Sequence, residues 1–412
     1  MRFRSSLLLL GLLLLVACTG GGTSSQPSGS PHASPSPSQT SVPTVRPSAT
    51  PSLALKDPGP LNLRWQQVAG GLVAPWELVF LPDGRALISE RPGRIRLLDS
   101  AGLKSDPLLS LRVSAVGESG LLGMVLHPHY PSSPFLYVYY TYRSDQGPTN
   151  KVVRFTLQDA VGAGLTLTAE QVILDGIAGD GGCCHFGGRI KFGPDGYLYV
   201  TTGEAYHPQR SPDLKSLNGK ILRITDSGQP PADNPIPGSP VYASGFRNPQ
   251  GLAWDSGQRL YVSDNGPTGE FGFCCHDEVN LIQPGGYYGW PAYAGNTSTG
   301  QAGGSNPIPP ILESGSDVAW APSGATFYTP SADERPTLVV ATLKGTALRR
   351  VFLDPAQPDK VLKTEALLSD HGRLRDAVAN PADHCLYVLT SNRDNRGSPQ
   401  AGDDQVLKGC PL

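Results

Sequence analysis

The feature that most constrains this chain is a turn-and-strand unit that recurs without exact copying. Leu81-Pro82-Asp83-Gly84 runs into the alternating stretch Arg85 to Glu90, and Gly193-Pro194-Asp195-Gly196, behind Phe192, runs into Tyr197 to Thr201. Looser copies begin at Trp254 (WDSGQRLYVS) and Asn380 (NPADHCLYVL), while Ser133 (SPFLYVYY) and Arg335 (RPTLVVAT) complete a set of six. A Pro/Asp/Gly turn followed by period-two alternation marks a hairpin feeding a strand with buried alternate positions. Spread over about 350 residues, six copies allow roughly 58 residues each, enough for a four-stranded sheet with long loops. No stretch sustains a helical period. The expectation is an all-β chain, a six-bladed β-propeller of four-stranded antiparallel blades, with a seven- or eight-bladed ring as the competing count. Composition agrees, since 49 Gly, 40 Pro and only 17% charged residues suit a turn-rich sheet protein.

The propeller is expected to fill residues 59–412 as one domain. In front of it, Arg2 and Arg4 precede the apolar run Leu7 to Val16, and Leu15-Val16-Ala17-Cys18 follows. That is a signal peptide over residues 1–18 whose end resembles a bacterial lipoprotein box, with Cys18 as the lipidated residue. The apolar run is too short for a preferred membrane span. Residues 19–58 are Ser, Thr, Pro and Gly with almost no apolar content, which predicts a disordered tether. The chain is therefore expected to be exported and lipid-anchored, facing the periplasm or the cell surface. A formal net charge of −2 argues against nucleic acid as a partner, because neutralising phosphates needs a basic surface. A local group of cations can still take a small polyanion.

Six segments, in order from about Leu63 to Leu407, carry a resemblance. They are PWELVFLPDGRALISER ending at Arg91, GESGLLG from Gly117, HFGGRIKFGPDG from His185, GFRNPQGLAW from Gly245, DEVNLIQPGGYYGWP from Asp277, and RLRD from Arg373. Together they resemble the soluble glucose and aldose sugar dehydrogenases that use pyrroloquinoline quinone, the glucose/sorbosone dehydrogenase family. The resemblance implies a six-bladed propeller that binds this quinone on one face and oxidises an aldose at C1 to the lactone. It implies that Arg247, Asn248, Lys344, Arg373 and Arg375 hold the cofactor, that His185 is the general base, and that Arg247 also stabilises negative charge during the reaction. It further implies a Ca²⁺ held by the backbone carbonyls of Gly266 and Pro267. A second, structural calcium would fall on the segment carrying Glu278 and Tyr288.

The residue chemistry is consistent with those roles. Three carboxylates on one ligand require several cations close together. Arg373 and Arg375 are two apart, so on a strand both face one way. An imidazole near its ordinary pKa takes up a proton around neutrality. Oxygen-only ligation suits a hard ion that polarises a carbonyl. Trp320, in DVAWAPS, is a candidate to flank the sugar or quinone by stacking, or else a core residue.

Two departures stand out. Glu118 falls at a cofactor-contacting position where the resemblance implies an uncharged amide, so either a cation or calcium compensates it or cofactor affinity is lowered. The pattern Cys-Cys-His occurs twice, at Cys183-Cys184-His185, where the resemblance implies polar, non-cysteine residues before the histidine, and at Cys274-Cys275-His276, in a segment that looks inserted. Setting Cys18 aside leaves six cysteines, and an even number in an exported chain suggests disulfides. Cys385 with Cys410 would tie down the C-terminal tail. For the other four, bridges between the two loops or within each are expected, with a soft-metal site including His276 as the alternative.

Two rival functions stand beside the dehydrogenase, a calcium-dependent sugar-lactone hydrolase and a non-catalytic binding propeller. The hydrolase would need carboxylates at the axis and no Lys344/Arg373/Arg375 set; the binding propeller would have no use for His185. The aldose, and the quinone, cytochrome or dye that takes the electrons, are not fixed by sequence.

Overall fold

A computed structural model describes residues 55–160 and 164–412, and the expected signal peptide, Cys18 and all but the last residues of the tether lie outside them. The described chain is a ring of six antiparallel blades, with a separate two-stranded sheet of Tyr293–Ala294 and Thr297–Ser298. Blade 1 starts with Pro75–Phe80, blade 2 with Leu121–Leu126 and blade 3 with Ile190–Phe192. Blades 4, 5 and 6 start with Pro249–Trp254, Pro322–Tyr328 and Leu374–Asn380. Each of these innermost strands hydrogen-bonds to the next strand in sequence across one of the six turns read above.

Five sheets are four-stranded, and blade 1 carries two short outer pieces, Gly102–Leu103 and Leu109–Ser110. Blade 6 is completed from the far end of the chain. Leu63–Ala69 pairs with Val406–Pro411, so the N-terminal strand closes the ring. The fold takes in residues ahead of 59 as well, since Lys56 bridges Glu334 beside blade 5.

The core lies between blades rather than at a centre. Inward-facing side chains of neighbouring sheets form six apolar clusters among the described residues, one at each junction. Alternation makes this possible, because a strand with apolar residues on both faces can pack a blade on either side. On the innermost strands the chain buries charge instead. Arg189 Nη1 lies 2.5 Å from Glu77 Oε2 and 3.3 Å from Asp376 Oδ1, joining blades 1, 3 and 6.

All cysteines in the described residues are paired. Cys385–Cys410 ties the second strand of blade 6 to the third, as expected. The other two bridges are each between adjacent residues, Cys183–Cys184 and Cys274–Cys275, so the bridge between loops and the soft-metal site are both overturned.

Candidate active site

In an antiparallel blade the start of the first strand and the end of the second lie at the same end of the sheet. Residues at those two positions from every blade therefore gather on one face of the ring. Glu118, His185, Arg247, Asn248, Ala321 and Arg373 come just before first strands, while Tyr206, Gly266, Lys344 and Arg396 come shortly after second strands. All ten line one cavity of about 280 Å³. The geometry explains why residues far apart in sequence meet.

His185 forms the polar heart of one wall. It is buried and held at φ +64°, a left-handed conformation rare for a side chain larger than glycine. Three contacts fix it there. Its backbone N–H donates to Glu118 Oε2 at 3.1 Å, its carbonyl accepts from Ala205 N at 3.1 Å, and Nδ1 bonds Glu204 Oε1. The Glu204 bond leaves Nε2 free to face the cavity, and the Tyr206 ring tilts against the imidazole at 4.2 Å. Burial, aided by Arg247 and Arg396, holds the His185 pKa well below the ordinary value. Burial also pushes the Glu204 carboxyl up to about 8. A close pair of this kind exchanges one proton as a unit, and only its deprotonated form presents Nε2 as a base with Nδ1–H given to the carboxylate.

The cations surround that wall. Arg247 Nη1 donates to the Asn265 carbonyl at 3.1 Å and Nε to Glu270 Oε1 at 3.1 Å. Asp264 anchors this corner by accepting the backbone N–H groups of Arg247 (2.9 Å) and Asn248 (2.7 Å). Arg373 holds Asp394 through Nε at 2.9 Å and Nη2 at 2.8 Å. Burial raises the Asp394 carboxyl, but Arg375 and Arg373 outweigh it and keep it below the usual carboxylate range. Lys344 is exposed at the rim. Arg396 pairs with Glu118 at 3.1 Å and donates to Cys184 Sγ at 2.9 Å. It is the compensating cation that the Glu118 departure called for.

Several expected residues stand elsewhere. Arg375 lies beneath the cavity rather than on its surface, fully buried against Gln250 Oε1 at 2.8 Å and 3.6 Å from Asp394. It shares a carboxylate with Arg373, so the two do face the same way. Trp320 does not line the cavity; the Arg349 guanidinium covers its ring at 4.0 Å, which makes it a packing residue. Gly266 lines the cavity and Pro267 is buried beside it. Glu278 sits outside the cavity in blade 4, with Oε1 accepting from Gly295 N and Oε2 from Asn280 Nδ2, both at 2.9 Å. Next to it Asn280 Oδ1 is buried without a hydrogen-bond partner, the kind of orphaned oxygen a calcium would satisfy. The Tyr288 side chain is engaged otherwise, its hydroxyl accepting from Gln283 N and donating to the Leu281 carbonyl.

Sequence reading gave no role to Glu204, Tyr206, Glu270, Asp394 or Arg396. Glu204 follows the Tyr197–Thr202 alternation two residues past the strand, the position where every blade delivers side chains to this face. That rule was available once the repeat had been aligned.

The profile of the family described as Glucose / Sorbosone dehydrogenase matches residues 72–398. The aldose sugar dehydrogenase YliI of Escherichia coli is 32% identical over 341 residues, covering 77% of this chain and 86% of that protein. The structure of a putative oxidoreductase (glucose dehydrogenase) from Thermus thermophilus superposes with a TM-score of 0.74 at 44% identity, over 84% of this chain and 100% of that one. The PQQ-bound form of an aldose sugar dehydrogenase from Streptomyces coelicolor superposes with a TM-score of 0.73 at 38% identity, over 85% and 98% of the two chains.

Proposed function

The chain belongs to the glucose/sorbosone dehydrogenase family, and on that premise we propose that it oxidises an aldose at C1 to the lactone with pyrroloquinoline quinone bound in the cavity of His185. One observation carries this reading. Arg247, Lys344, Arg373 and Arg396, with the Asn248 amide, converge on one cavity whose wall is the buried His185–Glu204 pair. That donor set fits a small trianion, and Arg375 adds positive charge from below.

When bound, the quinone supplies the two-electron acceptor. The chain supplies the rest. His185 Nε2 accepts the proton of the anomeric hydroxyl, and Glu204 holds the ring in the tautomer that leaves Nε2 open. Arg247 stabilises negative charge that develops beside the base. The backbone carbonyls of Gly266 and Pro267 are the proposed ligands of a Ca²⁺ serving as Lewis acid for the quinone. Glu278 with Asn280 Oδ1 is the place for a second, structural calcium, and Tyr288 would contribute only through its backbone.

A lactone hydrolase would need free carboxylates near the axis, yet Glu77 and Asp376 on the innermost strands are engaged with Arg189. A binding propeller would have no use for a buried, oriented base. Export and lipid attachment at Cys18, with electrons passed to a soluble or membrane acceptor, complete the reading, and the mass of the mature N-terminal peptide tests the anchor.

The central test is reconstitution. Apoprotein given pyrroloquinoline quinone and Ca²⁺ is expected to reduce a redox dye with an aldose, and its absorption spectrum to change when sugar is added without dye. His185→Ala is expected to retain the quinone, measured by titration, and to lose about 10²-fold or more in kcat. An unchanged rate removes the base.

A further inference from the structure

The loop between the second and third strands of blade 4 brings a side chain that the proposed chemistry does not use against two cavity residues, Arg247 and His185. Gly269 precedes and Gly272 ends the short turn Glu270–Gly272, a bridge between Thr268 and Cys274 closes the loop, and the Cys274–Cys275 disulfide follows. Phe271, next to Glu270, rests against Trp290 with ring centroids 5.5 Å apart. The loop is thus tied down at both ends and at its tip.

Glu270 points inward from it. Oε2 accepts the Thr268 N–H at 2.6 Å, and Oε1 accepts from Arg247 Nε at 3.1 Å and from Arg247 Nη2. The same Oε1 lies 3.8 Å from His185 Nε2. The side chain keeps 20% exposure and stands beside His185 and Arg247, both of which line the cavity. Burial raises the Glu270 carboxyl, but Arg247 outweighs it and keeps the group ionised below the usual range.

Two hydrogen-bond acceptors 3.8 Å apart match adjacent hydroxyls on a sugar ring. If the C1 hydroxyl donates to Nε2, the substituent on C2 falls against Oε1. We propose that Glu270 is a specificity-determining residue that reads the C2 substituent, selecting aldoses with a hydroxyl or ammonium donor there. Oε1 already accepts from Arg247, so a sugar lacking a donor forgoes the added hydrogen bond to a charged acceptor, and one with a carboxylate nearby meets like charge. This inference rests on the dehydrogenase reading and narrows its substrate class.

The test compares glucose, 2-deoxyglucose and 2-amino-2-deoxyglucose as substrates of the reconstituted holoenzyme. The wild type is expected to favour each C2 donor over the 2-deoxy sugar by about tenfold or more in kcat/KM. Glu270→Ala should bring the ratios to within about twofold. Glu270→Gln, which keeps an acceptor but no charge, should keep part of the hydroxyl preference and lose the ammonium preference. Any general effect of freeing Arg247 acts on all three sugars and cancels in the ratios. Ratios in Glu270→Ala equal to the wild type overturn the assignment. If no aldose is oxidised at all, the dehydrogenase reading fails separately. Saturation-transfer NMR of the same sugars on the apoprotein then decides Glu270: a C2-dependent saturation signal that disappears in Glu270→Ala supports it, and an identical pattern overturns it.

Discussion

Glu204 is the residue that gives His185 its direction, and its contribution is separable from that of the base. Substituting glutamine removes the carboxylate charge and can set an amide N–H against Nδ1, a contact in which the imidazole accepts at Nδ1 and carries its own proton on Nε2. Glu204→Gln is therefore expected to lower kcat by about 10²-fold or more while quinone affinity stays near wild type. The pair also sets a pH dependence. With Glu204 pushed up to about 8, the dyad must lose its shared proton before Nε2 can act, so kcat/KM should fall as pH drops through about 8. In Glu204→Gln that acid limb should be gone; a limb unchanged in position would assign it to another group. That Arg247, Asn248, Lys344 and Arg373 line one cavity was legible at this scale only through the family resemblance. Their carboxylate partners were not, because Asp394 and Glu270 lie in loops whose spacing carries no periodic signal. Which of its two candidate places Trp320 takes was not legible for a similar reason, since nothing in its own neighbourhood reveals that Arg349, on the third strand of the blade, covers the ring.

At the scale of elements, the site depends on close passage of backbone. A Cβ on Gly203 would lie 2.0 Å from the His185 carbonyl oxygen, so the strand end and the histidine loop fit together only because that side chain is absent. Gly203→Ala is expected to displace His185 from its φ +64° conformation and cost at least about tenfold in activity, with the β-sheet circular dichroism intact. Wild-type activity in that variant would show that the loop tolerates the shift. The hairpin repeat was readable because each copy combines turn chemistry with a β-forming run, although the strands that follow the turns are buried on both faces rather than at alternate positions. The vicinal bridges were not, since four cysteines in two loops admit several pairings and only the loop backbones decide between them.

For the whole molecule, the six-fold count followed from the turns, and the junction cores follow from strands apolar on both faces. Ring closure did not. Leu63–Ala69 carries no mark announcing that its partner is Val406–Pro411, at the opposite end of the chain. The disulfide next to that seam contributes measurably. Cys385–Cys410 closes a 25-residue span, for which chain-entropy arguments give about 3 kcal/mol. The double variant Cys385→Ser/Cys410→Ser should lose stability of that order in chemical denaturation, with the cavity residues and their kinetics little changed. No loss would mean that the seam holds without its covalent tie.

That seam also imposes an order on assembly. The segment that completes blade 6 is synthesised first and can find its neighbour only when the last strand has been made. Until then Leu63–Ala69 and the second strand of blade 6, Cys385–Thr390, each lack the strand that pairs them, and a second nascent chain can capture either edge as readily as the proper mate. A propeller closed in this way is most exposed to cross-chain pairing just before it is finished, so whatever keeps neighbouring chains apart in that interval governs how much active protein results.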